Sequence, residues 1–429
     1  MRILFASEYY PPFAPGGAEW STAGWARALA RAGHQVAIVT PNYGATPRDS
    51  ADGVTVRRVP FPRKLAPGQA AAPSFLYRNP LWTAYFAYWI VRVAQTERID
   101  VIHVQGKAAL VASWLAARWL RRPVVATIRD LGLICPLGFC TLFEPWETFD
   151  CSTFQYVSKC APYFLKHYEG RASHARRVRL WFSLRLAWVA HRFRRWALAR
   201  VDGVVGVSYG ILAIYPERIV PRDRRRAVYS LPPAAAIPTA DETVRVRREL
   251  GIGDRPLVLY AGKLSLGKGT PVFLKALDRI RSSVSSVRFV VAGKGELTLP
   301  VRDDLHALGV LDQAALFRLY RAADIVVVPS VWPEPLSRVI VEAMHFGRPV
   351  VATSVGGSPE AVEDGVTGLL VPKDDDVALA EAVVALLRDP ARRERMGVAA
   401  RARVAAVFGE DKVIALLLDA YAAATRRSV

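Results

Sequence analysis

Cysteine is scarce in this 429-residue chain and unevenly placed. Cys135, Cys140, Cys151 and Cys160 fall in one 26-residue stretch, and there are no others. A fold stapled throughout by disulfides is therefore excluded, because most of the chain has nothing to staple. The spacing C-x4-C-x10-C-x8-C lacks the tight opening pair of common zinc sites. Zinc at these four positions and unpaired thiols are both left open. Long apolar runs are also missing. No window reaches the ~18 apolar residues of a spanning helix, and the richest, Leu81 to Val93, is aromatic and too short. It reads as an interfacial or buried helix. Ile3-Leu4-Phe5-Ala6 is too short for the apolar core of a secretion signal, so the expected location is the cytoplasm. Acid is in deficit: 38 carboxylates against 58 lysines and arginines give a net charge of +20. That balance favours nucleic acid, an anionic membrane or polyanionic ligands, without choosing among them.

What is present is apolar residues in the order of an α/β protein. Hydrophobic residues make up 52% of the chain, enough for sizeable cores, and the length suits two domains. Strand signals at Arg2–Ala6, Gln35–Thr40, Val54–Val59, Val101–Val104, Val124–Ile128 and Gly203–Val207 are mostly separated by helical patterns. That alternation is the signature of a parallel sheet. Leu231-Pro232-Pro233 and the alanine-rich run to Pro238 read as a linker. A second set follows at Leu257–Ala261, Val287–Ala292, Ile325–Pro329, Val350–Thr353 and Gly368–Val371.

The densest information lies in residues 329–353, PSVWPEPLSRVIVEAMHFGRPVVAT. Two carboxylates, Glu334 and Glu342, stand eight residues apart between two strand signals. Glu334 precedes an apolar helical pattern, and Glu342 lies two turns along it. In open parallel sheets ligands bind at the carboxyl ends of strands, where Glu334 is expected. The backbone N–H groups around Leu336, Ser337 and Arg338 open the helix and suit a phosphate.

The E-P-x6-E spacing, Glu342-Ala343-Met344, and Gly356-Gly357 with Glu360 resemble the E-x7-E signature of retaining glycosyltransferases of family 4. Gly16-Gly17-Ala18-Glu19 is similar to that family's N-terminal glycine loop, and Gly262-Lys263-Leu264 with Lys268-Gly269 to its basic pyrophosphate clamp. Gly293-Lys294-Gly295-Glu296, Tyr320 to Asp324 and Asp364 to Leu370 fall in the same order. The resemblance covers nearly the whole chain, with 60–90 and 140–200 weakly matched. It implies the GT-B architecture: two Rossmann-like domains with parallel sheets facing across a cleft. Residues 1–230 would be the acceptor domain, 231–405 the nucleotide-sugar domain, and 406–429 a helix crossing back to the first. It implies an enzyme moving a sugar from a nucleotide diphosphate sugar to a glycan or lipid-linked acceptor, in cell-surface polysaccharide or glycolipid synthesis, with no cofactor required. Glu334 would contact the donor sugar and Glu342 the ribose hydroxyls, since a carboxylate accepts two bonds from a vicinal diol. Lys263 and Lys268 would face the charge that develops on the leaving diphosphate. Lys263 stands where the family usually has arginine, a point charge in place of a fork. Gly16 and Gly17 would admit the phosphates to a helix N-terminus, and Gly295 would lie in a turn near the nucleotide.

The acceptor side departs from the family. Arg129-Asp130 follows Thr127-Ile128 where many relatives carry a histidine. Arg129 cannot act as a base; binding the β-phosphate or an anionic acceptor is what it offers. His103, after Val101-Ile102, is the candidate histidine that remains. Residues 171–200 hold nine arginines and no acid. Within them Phe182, Leu186, Val189, Phe193 and Trp196 form a helical apolar stripe, with Arg179, Arg185, Arg192 and Arg195 outside it. Such a helix suits an anionic bilayer surface, on the cytoplasmic face, or packs its stripe in a core. Three rival functions stand beside transfer. One is a non-catalytic GT-B scaffold in a polysaccharide-assembly complex, which Arg129 would favour. The others are a nucleotide-sugar epimerase and, least favoured by the motifs, a nucleic-acid binder.

Overall fold

The computed structural model describes residues 1–14, 16–65, 79–138, 151–167 and 173–428. The chain divides into two units, one of Met1–Ser230 with Val413–Val429, the other of Leu231–Lys412.

Eight strands form the sheet of the first unit: β1 (Arg2–Ala6), β2 (Gln35–Pro41), β3 (Arg48–Ala51), β4 (Val54–Val59), β5 (Val101–Val104), β6 (Val124–Ile128), β7 (Gly203–Gly206) and β8 (Arg225–Ala227). Their order is β3-β4-β2-β1-β5-β6-β7-β8, parallel except for the β3–β4 hairpin. β5 and β6 are buried along their length and β1 from Ile3 onward, as strands covered on both faces must be. The helix Gly17–Arg31 returns from β1 to β2 and buries Trp25, Ala26 and Leu29. The last helix, Glu410–Ser428, passes at Val413 from the second unit to the first. There Tyr421 is fully buried, and its hydroxyl lies 2.8 Å from His103 Nδ1.

The second unit carries β9 (Leu257–Ala261), β10 (Arg288–Ala292), β11 (Leu305–Gly309), β12 (Ile325–Val328), β13 (Val350–Thr353) and β14 (Gly368–Val371). They run parallel in the order β11-β10-β9-β12-β13-β14. β9 and β12 lie side by side at the centre although two strands and two helices separate them in sequence, so their carboxyl ends open next to each other. The short apolar strands IVVV and VVAT are wholly buried.

Three strands escaped the sequence reading: β3, β8 and β11. All lie at sheet edges, and RDSA, RRA and LHALG lack the continuous apolar run that marks a buried strand. Among the described residues no helix is long and apolar enough to cross a membrane.

Candidate active site

In the second unit the site grows from the ends of β9 and β12. Leaving β9, the chain makes the loop that carries Lys263 and Lys268 before the helix Thr270–Ser283. A buried tyrosine fixes the loop's shape. Tyr260 Oη donates to the carbonyl of Lys263 at 3.0 Å and lies 3.0 Å from Thr270 Oγ1, which accepts from the Ser265 N–H. Burial pushes the Tyr260 phenol up to about 12, so it stays a neutral donor. Leaving β12, the chain reaches Ser330, Trp332 and Glu334 before the helix Arg338–His345.

Glu334 is 6% exposed. Its Oε2 accepts from Lys268 Nζ, from Trp332 Nε1 at 2.8 Å and from Ser330 Oγ at 3.3 Å. The Lys268 ammonium also lies 5.1 Å from the Trp332 ring centre. Two expected residues, one from each loop, are thus brought into a single ion pair, and Trp332 and Ser330 join them. Those two were missed by the sequence reading although they sit in the same run. Only the fold shows that Trp332 turns its N–H back on Glu334.

The backbone behind Glu334 is clamped as well. The Gly357 N–H donates to the Glu334 carbonyl at 2.8 Å. Gly356 has φ +53°, and a Cβ there would lie 2.0 Å from that same carbonyl oxygen. Any other residue would push the carboxylate out of place. Gly295 is packed for a similar reason, since a Cβ would stand 2.0 Å from the Leu264 carbonyl oxygen. It shapes the lysine loop through backbone contact.

Glu342 is also 6% exposed. Arg338 reaches its Oε1 with Nε at 3.1 Å and Nη2 at 2.8 Å, while Tyr320 Oη donates to Oε2 at 3.1 Å. Burial and the Glu342 charge both hold the Tyr320 phenol well above its usual range. Of roughly four lone-pair positions on a carboxylate, three are taken. A bidentate grip on a ribose diol therefore requires the Arg338 fork to swing away. Leu336 and Ser337 are buried. Ser337 caps the helix without a side-chain hydrogen bond, which leaves the first-turn N–H groups without a side-chain acceptor from the cap. Lys263 is set apart from this cluster. Its side chain is largely exposed and pairs with Glu296 at 3.0 Å.

In the first unit the ends of β1, β5 and β6 carry Glu8, Lys107, Arg129 and Asp130. Arg129 Nη2 donates to Gln105 Oε1 at 2.8 Å and to Thr22 Oγ1 at 3.2 Å, and its guanidinium lies 4.7 Å from the Trp25 ring centre. Glu8 accepts from the Ala108 N–H. Burial raises its carboxyl, with the Lys107 charge opposing. Glu19, in the first turn of the helix Gly17–Arg31, accepts from the Gly16 N–H at 3.0 Å. Its carboxyl is likewise raised by burial. Gly16 has φ −157°, ordinary extended backbone, so its conformation does not by itself demand glycine.

His103 is a correction. It lies inside β5, fully buried, rather than at a strand end facing a ligand. Both ring nitrogens are engaged, Nδ1 with Tyr421 Oη at 2.8 Å and Nε2 with Thr127 Oγ1 at 2.7 Å. Burial, with the Arg129 charge nearby, holds its pKa well below the usual value. It is a neutral core residue that ties the last helix to the first sheet. Of the cysteines, Cys140 lies outside the described residues. Among the described residues no group of three or more histidines, cysteines or carboxylates is placed to hold a metal.

Comparison with known proteins gives this geometry a family. A model described as "Glycosyl transferase 4-like domain" matches residues 16–230, and one described as "Glycosyl transferases group 1" matches residues 255–389. The chain is 39% identical over 208 residues to a D-inositol 3-phosphate glycosyltransferase of Xylanimonas cellulosilytica, which covers 46% of this chain and 49% of that protein. It thus spans about half the length of that relative. It is 25% identical over 439 residues to an uncharacterized glycosyltransferase of Methanocaldococcus jannaschii, covering 98% of each. Among solved structures, Anabaena HepE in complex with UDP-glucose matches with a TM-score of 0.66 at 21% identity, covering 98% of this chain and 99% of that one. That likeness identifies the two parallel-sheet units as a GT-B fold. The chain belongs to the glycosyltransferases, with a glycosyl transferase 4-like domain in its first half and a group 1 domain in its second.

Proposed function

We propose that this protein is a retaining family 4 glycosyltransferase. It takes a sugar from a nucleotide diphosphate sugar and passes it to a glycan or lipid-linked acceptor at the cytoplasmic face of a membrane, in the synthesis of a cell-surface polysaccharide or glycolipid. The observation that carries the reading is the Lys268–Glu334 pair at the ends of adjacent parallel strands. A lysine ammonium has three N–H bonds, and Glu334 takes one. The others are available to the diphosphate, which sets its β-phosphate beside the carboxylate that holds the sugar hydroxyls.

As the bond between the anomeric carbon and the β-phosphate oxygen breaks, the electron pair stays on the phosphate. Lys268, Lys263 and the first-turn N–H groups of Arg338–His345 stabilise the charge it gains. The acceptor hydroxyl oxygen bonds to the anomeric carbon from the side the phosphate leaves, and its proton passes to the departing phosphate oxygen. The configuration is retained and no protein nucleophile is needed. HepE was solved with UDP-glucose, which supports a nucleotide-sugar donor for this chain. Glu342 meets the ribose after Arg338 releases it, and Arg129 meets the anionic side of donor or acceptor.

The test is a donor panel. Purified protein is mixed with UDP-, GDP-, ADP- and dTDP-sugars while thermal stabilisation and nucleotide release are followed. Stabilisation by one donor class, lost in Glu334→Ala, is the expected result. A folded protein that responds to no donor overturns the reading in favour of a scaffold, and release of free glycal without acceptor overturns it in favour of an epimerase.

A further inference from the structure

The helix His174–Leu198 has two apolar faces; among the described residues one is packed into the fold and the other is largely exposed. Leu184, Ala187 and Trp188 point inward. Trp188 stacks on Tyr156 with ring centres 4.9 Å apart, its N–H donates to Thr153 Oγ1 at 2.9 Å, and Leu184 joins Ala161 and Leu165 in the same cluster. The other face carries Phe182, Leu186, Val189, Phe193 and Trp196, which are 59, 67, 54, 62 and 42% exposed. At about 100° per residue these five fall within an arc of roughly 80°, a single ridge along the helix. The stripe read from the sequence is therefore the outer face.

Arginine borders the ridge. Arg179, Arg185 and Arg192 lie roughly 60–80° to either side of it at that spacing, and no acid occurs from residue 171 to 200. The Arg185 guanidinium lies over the Trp181 ring at 3.0 Å from its centre. At the C-terminal end the ridge continues onto the helix Leu110–Leu120 of the same unit. Trp196 meets Trp114 edge to face with ring centres 4.6 Å apart, Arg118 donates to the Arg200 carbonyl at 3.2 Å, and beyond them Leu115 and Trp119 are 43 and 79% exposed.

We propose that this ridge is the surface by which the protein docks on an anionic lipid bilayer. Phe182, Leu186, Val189 and Phe193 enter the boundary between headgroups and acyl chains, tryptophans lie at the margin, and the flanking arginines rest on lipid phosphates. Charge selects this occupant. In a symmetric contact with a second copy, one arginine border would face another. The proposal rests on the reading that the enzyme works at a membrane, and it names the surface responsible.

The experiment is co-sedimentation of the full chain with vesicles of phosphatidylcholine alone or with phosphatidylglycerol added, beside donor-induced thermal stabilisation. The protein is expected to bind the phosphatidylglycerol vesicles and to weaken as salt rises. At ~1 kcal/mol per arginine near the surface, the Arg179→Gln/Arg185→Gln/Arg192→Gln variant loses on the order of 100-fold in vesicle affinity. Leu186→Gln/Phe193→Gln loses at least about tenfold. Both keep the wild-type melting temperature and donor response. Vesicle binding that both variants leave unchanged overturns the docking surface and leaves the membrane reading standing. No vesicle binding by a protein that responds to donor overturns both while leaving the transferase reading intact. A wild-type dimer dissociated by Leu186→Gln/Phe193→Gln, with vesicle binding unaltered, assigns the ridge to self-association and overturns the proposal.

Discussion

The carboxyl ends of the central strands are built differently in the two units. In the second unit two adjacent loops supply Lys268, Ser330, Trp332 and Glu334, and all of them converge on one carboxylate oxygen. In the first unit three strand ends contribute separate charged side chains, Glu8, Lys107, Arg129 and Asp130, of which Glu8, Arg129 and Asp130 are each held by a different local partner. The converging arrangement fixes one chemistry at one point. The dispersed arrangement makes a set of mixed charges that single substitutions can retune, which would suit an acceptor-distinguishing half on the proposed reading.

If the second-unit loops act as one device, breaking it should have the largest effect on turnover. Glu334→Gln and Lys268→Ala are each expected to lower the rate of sugar transfer by ~10²–10³, about 2.7–4 kcal/mol of transition-state stabilisation. Because the two residues form a single pair, the double variant should lose little more than either alone. Additive losses, measured as kcat on a purified donor and acceptor, would mean that the lysine and the carboxylate work separately.

Glu342 sharpens the comparison within the second unit. Its oxygens are occupied by Arg338 and Tyr320, so on the proposed reading part of the donor's binding energy would go into displacing the fork. Glu342→Ala is expected to raise KM for the donor by about tenfold with kcat nearly unchanged, as for an interaction made equally in ground and transition states. Arg338→Ala tests the displacement directly. It frees Glu342 and should lower KM at some cost in thermal stability, whereas a raised KM would mean that Arg338 itself binds the donor.

These contrasts also explain what the sequence made legible. The second unit was more readable because each of its two loops, 263–268 and 330–342, gathers several candidate residues close together in the chain, with glycines nearby. Gly356 is such a case, with its Cα packed on the Glu334 carbonyl so that no side chain fits. Buried strands such as IVVV were readable for a related reason, since burial on both faces leaves a continuous apolar run. Edge strands such as RDSA face solvent and carry no such mark. The first unit's charged residues are split among three loops, about a hundred residues apart in the case of Glu8 and Lys107, and no spacing rule joins them. His103 misled because a lone histidine on a strand looks the same whether it faces a ligand or a core. Tyr421, 318 residues away, decides the matter, and no local pattern reports a partner that distant.

That partnership can be tested in the first unit. Tyr421→Phe leaves His103 Nδ1 without its hydroxyl in a fully buried setting and is expected to cost ~1–3 kcal/mol of stability, with donor KM unchanged. A donor KM that moved with Tyr421→Phe would return His103 to the binding site.

The smallest expected effect is a shift of stability with pH at Glu8. Burial raises its carboxyl above the ordinary 4.5, so the folded protein holds this proton more tightly than the unfolded chain. Its contribution is therefore fully present below the unfolded value and is lost as pH rises through the folded one. Glu8→Gln carries no titrating proton there. The wild type should thus gain on this variant as pH falls from neutrality towards 4.5, and its relative stability should level off above the raised folded value. Melting temperatures of the two proteins across that range give the sign. A wild type that lost ground on acidification would show that the Lys107 charge, rather than burial, governs Glu8. The first unit's strand ends would then be paired as firmly as the loops around Glu334.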